Sequence, residues 1–459
     1  MNKRIKRLIE NLKYILNSKL LKKIAIKTKF QKKDSKFTPE KFISLCVFSN
    51  NHLCENSLEE LSTWLLINEN LSITKQGVNH KFNNESVEFL KSLFKEIMMS
   101  QSKLLSNNER KLKSIFNSID ICDATSYKAP EKLKDHYEGN SGNGTGAIVK
   151  IQLEYNLLSG EFGGCKIVDS GESDFAYLPK LENNIGKNDL KLKDLGYFKV
   201  SHLEYIDKAE AFYISRVKTT TNIYKKINNK YSKIDLTEYS SSLNEGETIE
   251  IPEVYLGAKE KLKTRIIVTN LTKENKEKKL ETLIKNHKRK GKKVTDLAIK
   301  SSAINVYATN IKAHMLNTEI IHEIYSLRWQ VEIMFEIWKS IFQIHISKPV
   351  KIERFNCNLY GKLIALLLST VVVFTYRDEI YYEYGKQLSE YKAFGTVKSL
   401  LFNIKQAFFN DEFTLLNLFQ LINEIFLKNG IKSRRKGEKT SLDIIETIFE
   451  IFISEKAVV

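Results

Sequence analysis

The sequence predicts a mixed α/β protein: helical regions at both ends, a sheet-forming middle, and a β-rich segment inserted in that middle. Residues 1–105 show helical spacing of apolar residues, punctuated by helix-start signals. From about residue 110 the apolar period shortens to two, and three strand-like runs lead into alternating helix and strand, the pattern of a mixed sheet. Beyond residue 356 the helical period returns. A chain of 459 residues can bury a large core in more than one domain.

In the N-terminal region Thr38-Pro39-Glu40 reads as a helix start, with an N-cap oxygen and proline in the first turn. Ser57-Leu58-Glu59-Glu60 is a capping box before LSTWLLI. A polar turn follows, and Ser72 is expected to cap a second helix, ITKQGVNHKF, before a third that begins near Ser86. This is helix–turn–helix spacing. It nominates Lys75, Gln76 and Asn79, with Thr74 and Lys81, for a DNA groove. Any small helical bundle carries similar punctuation, and Gly77 weakens the second helix by about 1 kcal/mol relative to alanine.

In the middle, IFNSIDICDAT, GAIVKIQLEYNLL and EFGGCKIVDS read as strands. The connecting GNSGNGTG (139–146) contains no GK[ST], so it reads as a turn and not as a phosphate-binding loop. A helical stretch, the short strand DLKLKD, a helix near 198–208 and the strand AFYISRVKT come next. YKKINNKYSKIDLTEY, ETIEIPEVYLG and TRIIVTNL form the β-rich segment. The lysine-rich run 273–293 either tracks phosphates or is a solvated loop or helix. SAINVYATNI returns to a strand, and a basic cluster, KSRRKGEK (432–439), precedes the amphipathic DIIETIFEIF.

Lys plus Arg number 73 against 55 Asp plus Glu, a net charge of +18. That excess favours a polyanionic partner, nucleic acid ahead of an anionic membrane surface. The five cysteines are widely spaced, with no CxxC or Cys/His zinc spacing, so reduced thiols and a cytoplasmic location are expected. The lysine-studded N-terminus lacks the apolar stretch of a signal peptide. The run LIALLLSTVVVFTY is shorter than the roughly 20 residues that span a bilayer, and reads as a buried core helix or strand.

Tyr325, Arg328, Glu332 and Lys339 carry the most chemistry. At about 100° per residue they fall near 0°, 300°, 340° and 320°, one stripe about 60° wide. Ile324, Leu327, Val331, Met334 and Trp338 gather on the opposite side. The carboxylate can hold a hard cation, while Arg and Lys neutralise phosphate oxygens and the Tyr hydroxyl orients a phosphate or water. Arg328–Glu332 also fits an ordinary solvated i,i+4 pair, and Glu336 shares the stripe. Asp123 ends the first strand and Asp194 follows the short one. Neighbouring strands would bring these two carboxylates together, and Glu332 would complete an oxygen-only site suited to Mg²⁺ or Mn²⁺. Asp120 competes with Asp123, but the two point to opposite faces of a strand. Plainer roles also exist: a strand-end cap for Asp123, a turn-forming Asp for Asp194.

These motifs resemble the DDE transposases of the bacterial insertion-sequence-four group. Their signature, Tyr-x2-Arg-x3-Glu-x6-Lys, is matched by Tyr325, Arg328, Glu332 and Lys339. Their first acid precedes a small residue and Thr, as in CDAT, and their second precedes a Gly-aromatic pair, as in DLGY. FYISRVK, the TN before the last helix of the middle region and RWQVE…WKS also fit, across roughly residues 115–345, and four motifs in order are far more specific than one. The resemblance implies an RNase H-like catalytic core interrupted by a β-rich insertion, with helical N- and C-terminal regions. It divides the chain into a DNA-binding domain (1–105), the first part of the core (106–220), the insertion with its basic segment (221–300), the second part of the core (301–380) and a C-terminal region available for dimerisation (381–459).

The implied activity is cut-and-paste transposition. Asp123, Asp194 and Glu332 would be catalytic metal ligands for Mg²⁺, with Mn²⁺ as a substitute, and Tyr325, Arg328 and Lys339 would hold end phosphates. The implied partners are double-stranded DNA, as element ends and as target, and a second copy of the chain on paired ends, with no membrane. The implied location is the cytoplasm of a bacterium, at the nucleoid. A catalytically inactive DNA-binding relative or repressor, and a general RNase H-like nuclease, are the alternatives. In some relatives an insertion tryptophan stabilises a flipped base. Here Trp64, Trp329 and Trp338 all lie outside the insertion, leaving Tyr255 or Tyr231 as substitutes.

Overall fold

A computed structural model describes residues 3–33, 35–49, 53–106, 115–139, 146–289, 291–409, 412–433 and 439–456. Residues 140–145 of the glycine-rich turn, Lys290 of the lysine-rich run and 434–438 of the C-terminal basic cluster lie outside them. The chain divides into two units. One, mainly helical, comprises Met1–Leu112, Ala124–Glu172 and Glu332–Glu438; the other, built on a sheet, comprises Lys113–Asp123, Ser173–Val331 and Lys439–Val459.

Strands form where apolar and β-branched residues alternate. Among the described residues they are β1 (Ile119–Lys128), β2 (Ile148–Asn156), β3 (Phe162–Asp169), β4 (Leu190–Lys193), β5 (Phe212–Arg216), β6 (Ile223–Ile227), β7 (Lys230–Ile234), β8 (Thr248–Leu256), β9 (Leu262–Asn270) and β10 (Ile304–Thr309). In the sheet unit β1, β4 and β5 are parallel neighbours. Ile121 lies opposite Leu192, and Leu192 opposite Ile214. β10 runs antiparallel to β5, and β9, β8, β6 and β7 follow outward, each antiparallel to the last. The β-rich segment therefore continues this sheet, with β9 paired to β10 from Ile304↔Asn270 to Thr309↔Arg265. Asn228 and Asn229, at φ of 48° and 63°, make the two-residue turn of the β6–β7 hairpin, a left-handed conformation that asparagine tolerates. Pro252 sits where the β8–β9 register shifts, so its missing N–H costs no ladder bond.

The helix Val200–Lys208 packs Leu203 and Ile206 against Tyr213, Val254, Ile266, Val268 and Val306. A smaller cluster gathers Cys122, Tyr177, Leu178, Leu181 and Tyr197. Every residue of β4 is buried, its two lysines included. Lys191 pairs with Asp120 at 2.7 Å, with Asp189 3.7 Å away. Two charges taken out of water need such partners, because removing either leaves the other buried alone. Asp120 is thus a core ion-pair residue.

Two polar anchors set the helix Thr318–Ser326 on the sheet. Arg265 of β9 is 5% exposed. It donates from Nε to the Ile311 carbonyl at 2.6 Å, from Nη2 to the Leu316 carbonyl at 2.6 Å, and from Nη1 to Glu250 Oε2 at 2.7 Å. Asn310 donates to Asp207 Oδ1 and the Ala211 carbonyl, both at 2.8 Å, and accepts from the Tyr213 amide at 2.9 Å. Asn317 then caps the helix by accepting from the Ile320 amide.

In the helical unit the run LIALLLSTVVVFTY lies inside the helix Ile352–Tyr384. The segment is longer than the short apolar run suggested: the 33-residue helix is long and apolar enough to cross a membrane, yet 94% of its most apolar window is buried inside the structure. Gly361 is required here, because a Cβ would collide with the Cys46 carbonyl of the neighbouring helical turn. Arg377 of this helix donates to the Leu157 and Leu158 carbonyls at 3.1 and 2.6 Å, fixing the β2–β3 hairpin. All five cysteines are unbridged.

Thr38 and Ser57 cap their helices, the latter in a complete capping box. The next start differs from the expected one: Thr74, not Ser72, is the N-cap, and the helix is Lys75–Lys81. The Ser62 hydroxyl donates to the carbonyl of Ile73, the residue just before the cap. Asn83 caps the following helix, Asn84–Ser106, by accepting from the Ser86 amide.

Candidate active site

Asp123 and Asp194 stand side by side in the sheet unit. Each lies two residues beyond Ile121↔Leu192, the last aligned pair of the two parallel strands. Adjacent strands are about 4.8 Å apart, so the two residues are neighbours; β1, flanked by β2 as well as β4, runs on to Lys128, so Asp123 lies within its strand and does not end it as expected. Asp194 follows β4 directly and leads into a single 3₁₀ turn, Leu195–Tyr197. Its side chain is partly exposed, and that of Asp123 is 26% exposed.

The stretch from Thr318 carries the groups that meet them. The expected single helix is broken: Thr318–Ser326 is α-helical, Leu327–Trp329 is a 3₁₀ turn, and Gln330–Ser340 is α-helical again. A 3₁₀ turn advances about 20° more per residue than an α-helix, so the stripe is not a straight continuation from Tyr325 to Lys339. The apolar side survives the break, with Ile324, Leu327, Val331, Met334 and Trp338 all buried. Arg328 Nη1 donates to Asp123 Oδ2 at 3.1 Å, and Tyr325 Oη donates to Asp194 Oδ1 at 3.2 Å. The Tyr325 phenol is only 8% exposed; burial, then the Asp194 charge, push its pKa up, so it stays a protonated donor.

Glu332 and Lys339 lie on Gln330–Ser340 and belong to the helical unit; both are partly buried, and the competing Glu336 is exposed. Among the described residues no three His, Cys, Asp or Glu side chains stand close enough to hold a metal ion. The pair Asp123 and Asp194 does suit a hard divalent cation, being two partly exposed oxygen donors on adjacent strands.

Of the proposed groove residues, Lys75 and Gln76 are exposed and Asn79 is partly buried. Lys75 pairs with Glu59 at 2.6 Å, and the Asn79 carbonyl accepts from Lys351. Thr74 spends its hydroxyl on the cap, and Lys81 sits 5.1 Å from the Phe30 ring centroid, half-buried, so these two are held by the fold. Tyr224, Tyr231 and Tyr255 form an edge-to-face chain on β6, β7 and β8, with Lys261 3.1 Å from the Tyr224 ring centroid.

Sequence reasoning missed Tyr307 and His322. The Tyr307 ring packs on Tyr325 with centroids 4.8 Å apart, and its hydroxyl lies 3.1 Å from His322 Nδ1. Burial lowers the pKa of that imidazole. The signal was present in INVYAT: Asn305 and Tyr307 alternate with apolar residues and so share a face of β10.

Comparison with known proteins defines the class. Residues 116–368 match the family model described as the transposase DDE domain. The transposase for insertion sequence element IS1151 of Clostridium perfringens is 36% identical over 98% of both chains. The transposase for insertion sequence element IS231F of Bacillus thuringiensis subsp. israelensis is 33% identical over 96% of this chain and 95% of its own. A cryo-EM structure of a piggyBac transposase synaptic complex with hairpin DNA aligns at a TM-score of 0.45 and 9% identity over 95% of this chain and 88% of that one. The chain belongs to the DDE transposase family, enzymes of DNA transposition.

Proposed function

We propose that the chain binds the terminal inverted repeats of its insertion sequence and catalyses metal-dependent cleavage and strand transfer by a cut-and-paste route, on an RNase H-like core. The observation that carries this reading is the pairing of Asp123 with Arg328 and of Asp194 with Tyr325, on two adjacent parallel strands just past their last aligned pair. Glu332, one helical turn along the chain from Arg328, is the third carboxylate, assigned by the sequence pattern.

In this reading Asp123, Asp194 and Glu332 hold Mg²⁺, with Mn²⁺ as a substitute. The metal, when bound, supplies activation of the attacking oxygen and stabilisation of the leaving oxygen. The protein's own groups position the strand. Arg328 presents a planar fork able to exchange its carboxylate for phosphate oxygens, Tyr325 donates a hydroxyl that stays protonated, and Lys339 adds a point charge. Lys75, Gln76 and Asn79 of the N-terminal domain read the inverted repeats. A second copy assembles on paired ends through residues 381–459, in the cytoplasm at the nucleoid.

The test is incubation of purified protein with a labelled duplex carrying the element's own end, with and without Mg²⁺. Mg²⁺-dependent cutting at the element boundary, followed by joining of the freed 3′ end to target DNA, is expected. Specific binding without cutting under any metal would contradict the reading and point to an inactive DNA-binding relative. Cutting without end preference or joining would point to a general nuclease.

A further inference from the structure

An open cavity of about 1020 Å³ lies in the sheet unit, between β5 and β10 on one side and the helix Lys273–Arg289 on the other. Leu195 and Trp329 reach its rim, so it begins next to Asp194 and Arg328 in the chain. Two cations from distant segments converge inside it. Lys279 Nζ donates to Asn305 Oδ1 at 2.7 Å, and Arg216 Nη2 donates to the same oxygen at 3.2 Å. One neutral amide oxygen is thus the acceptor for two positive charges. Among the described residues neither cation has a carboxylate partner, and none of the residues lining the cavity is Asp or Glu. Lys278 adds a third cation at the mouth, paired outward to Glu274.

This arrangement is not that of a structural ion pair. Where the same sheet buries Arg265 and Lys191 it gives each a carboxylate, Glu250 and Asp120. At Asn305 the fold brings two cations together and leaves the anion out, although like charges at such separation repel. Burial, then the neighbouring Arg216, pull the Lys279 pKa down to about 8, the mark of a charge lacking its counterion. Thr219 and Ser301, hydrogen-bonded to each other at 2.8 Å, also line the cavity with hydroxyls. Cations with neutral donors in a cleft of nucleotide size fit a phosphate group.

We propose that this cavity is a phosphodiester pocket for the bound DNA strand, with Lys279 and Arg216 as its anion ligands and Asn305 as the residue that holds both in place. It rests on the proposed action on DNA and adds a contact outside the three carboxylates and the Tyr-Arg-Glu-Lys residues. It also gives the lysine-rich helix a defined role, since Lys279 is partly covered and bonded to Asn305 on a helix that has no buried residue.

The experiment measures affinity for a duplex carrying the element's own end across a KCl series. It compares wild type with Lys279→Gln, Lys279→Arg and Asn305→Asp, and repeats the comparison with duplexes bearing one neutral methylphosphonate at successive positions. Lys279→Gln is expected to reduce the slope of log affinity against log salt by about 0.9, one phosphate contact, and Lys279→Arg to restore it. One methylphosphonate should weaken wild-type binding while leaving Lys279→Gln unaffected. Asn305→Asp supplies the missing carboxylate, so it should melt no lower than wild type and still lose the same contact, which a merely structural role would not produce. If wild type binds and cuts the end while Lys279→Gln keeps its slope and its methylphosphonate profile, the pocket is wrong and the functional reading stands. If wild type neither binds nor cuts the end, the functional reading falls first and the pocket with it.

Discussion

Asp123→Asn and Asp194→Asn are each expected to lower the rate of end cleavage by about three orders of magnitude, or about 4 kcal/mol of transition-state stabilisation, and to leave end binding within a few-fold of wild type. The substitution keeps the volume and one oxygen of each side chain but removes the charge that a divalent cation requires. The fold should survive, because the side chains of both residues remain partly exposed. Binding should survive because the cations proposed to meet phosphates and the N-terminal helices are untouched. Single-turnover cleavage and gel-shift affinity on the same duplex check the prediction. A variant that cuts at the wild-type rate would remove its residue from the catalytic set.

Arg265→Met is expected to produce the largest loss of stability of any single change near the site, about 3–5 kcal/mol, the typical result of removing one partner from a buried ion pair. Methionine fills similar space but abandons three acceptors at once: Glu250 and the carbonyls of Ile311 and Leu316. Those carbonyls lie in the segment that leads from β10 into Thr318–Ser326, which carries Tyr325. Thr318 bonds to Glu250 as well, so the loss reaches the first residue of that helix. A urea titration of the variant should show a lowered midpoint, and a parallel measurement should show weakened cleavage at temperatures where the variant remains folded. A midpoint equal to wild type would show that Arg265 does not anchor this helix.

Much of the middle region was legible because period-two alternation is a local signal. The segments read as strands coincide with β1 to β5 and with β8 to β10, and the INNK turn resolved into a hairpin whose two asparagines take left-handed backbone. Asp194 follows its short strand as the sequence suggests, whereas β1, flanked by β2 as well as β4, runs on past Asp123 to Lys128. The misses have distinct physical causes. Ser72 and Thr74 are equally good caps in isolation, and the choice fell to the Ser62 hydroxyl, eleven residues from Ile73 in sequence. The stripe through Tyr325 and Arg328 reads in sequence as one α-helix because residue spacing alone does not reveal a 3₁₀ turn at Leu327–Trp329. Lys279 is one of many lysines in its run, and nothing local distinguishes it. Only the long-range meeting of β5, β10 and the helix Lys273–Arg289 shows that it shares an oxygen with Arg216.

The central claim is that Asp123, Asp194 and Glu332 share a divalent metal on the DNA-bound protein. The most direct measurement replaces Mg²⁺ with Fe²⁺ in the end-bound complex, adds ascorbate and peroxide, and maps where the locally generated radicals cut the polypeptide. Cuts clustered around residues 123, 194 and 332, suppressed by excess Mg²⁺, are the predicted result. Cuts at 123 and 194 with none near 332, or a pattern indifferent to Mg²⁺, would contradict the three-carboxylate site.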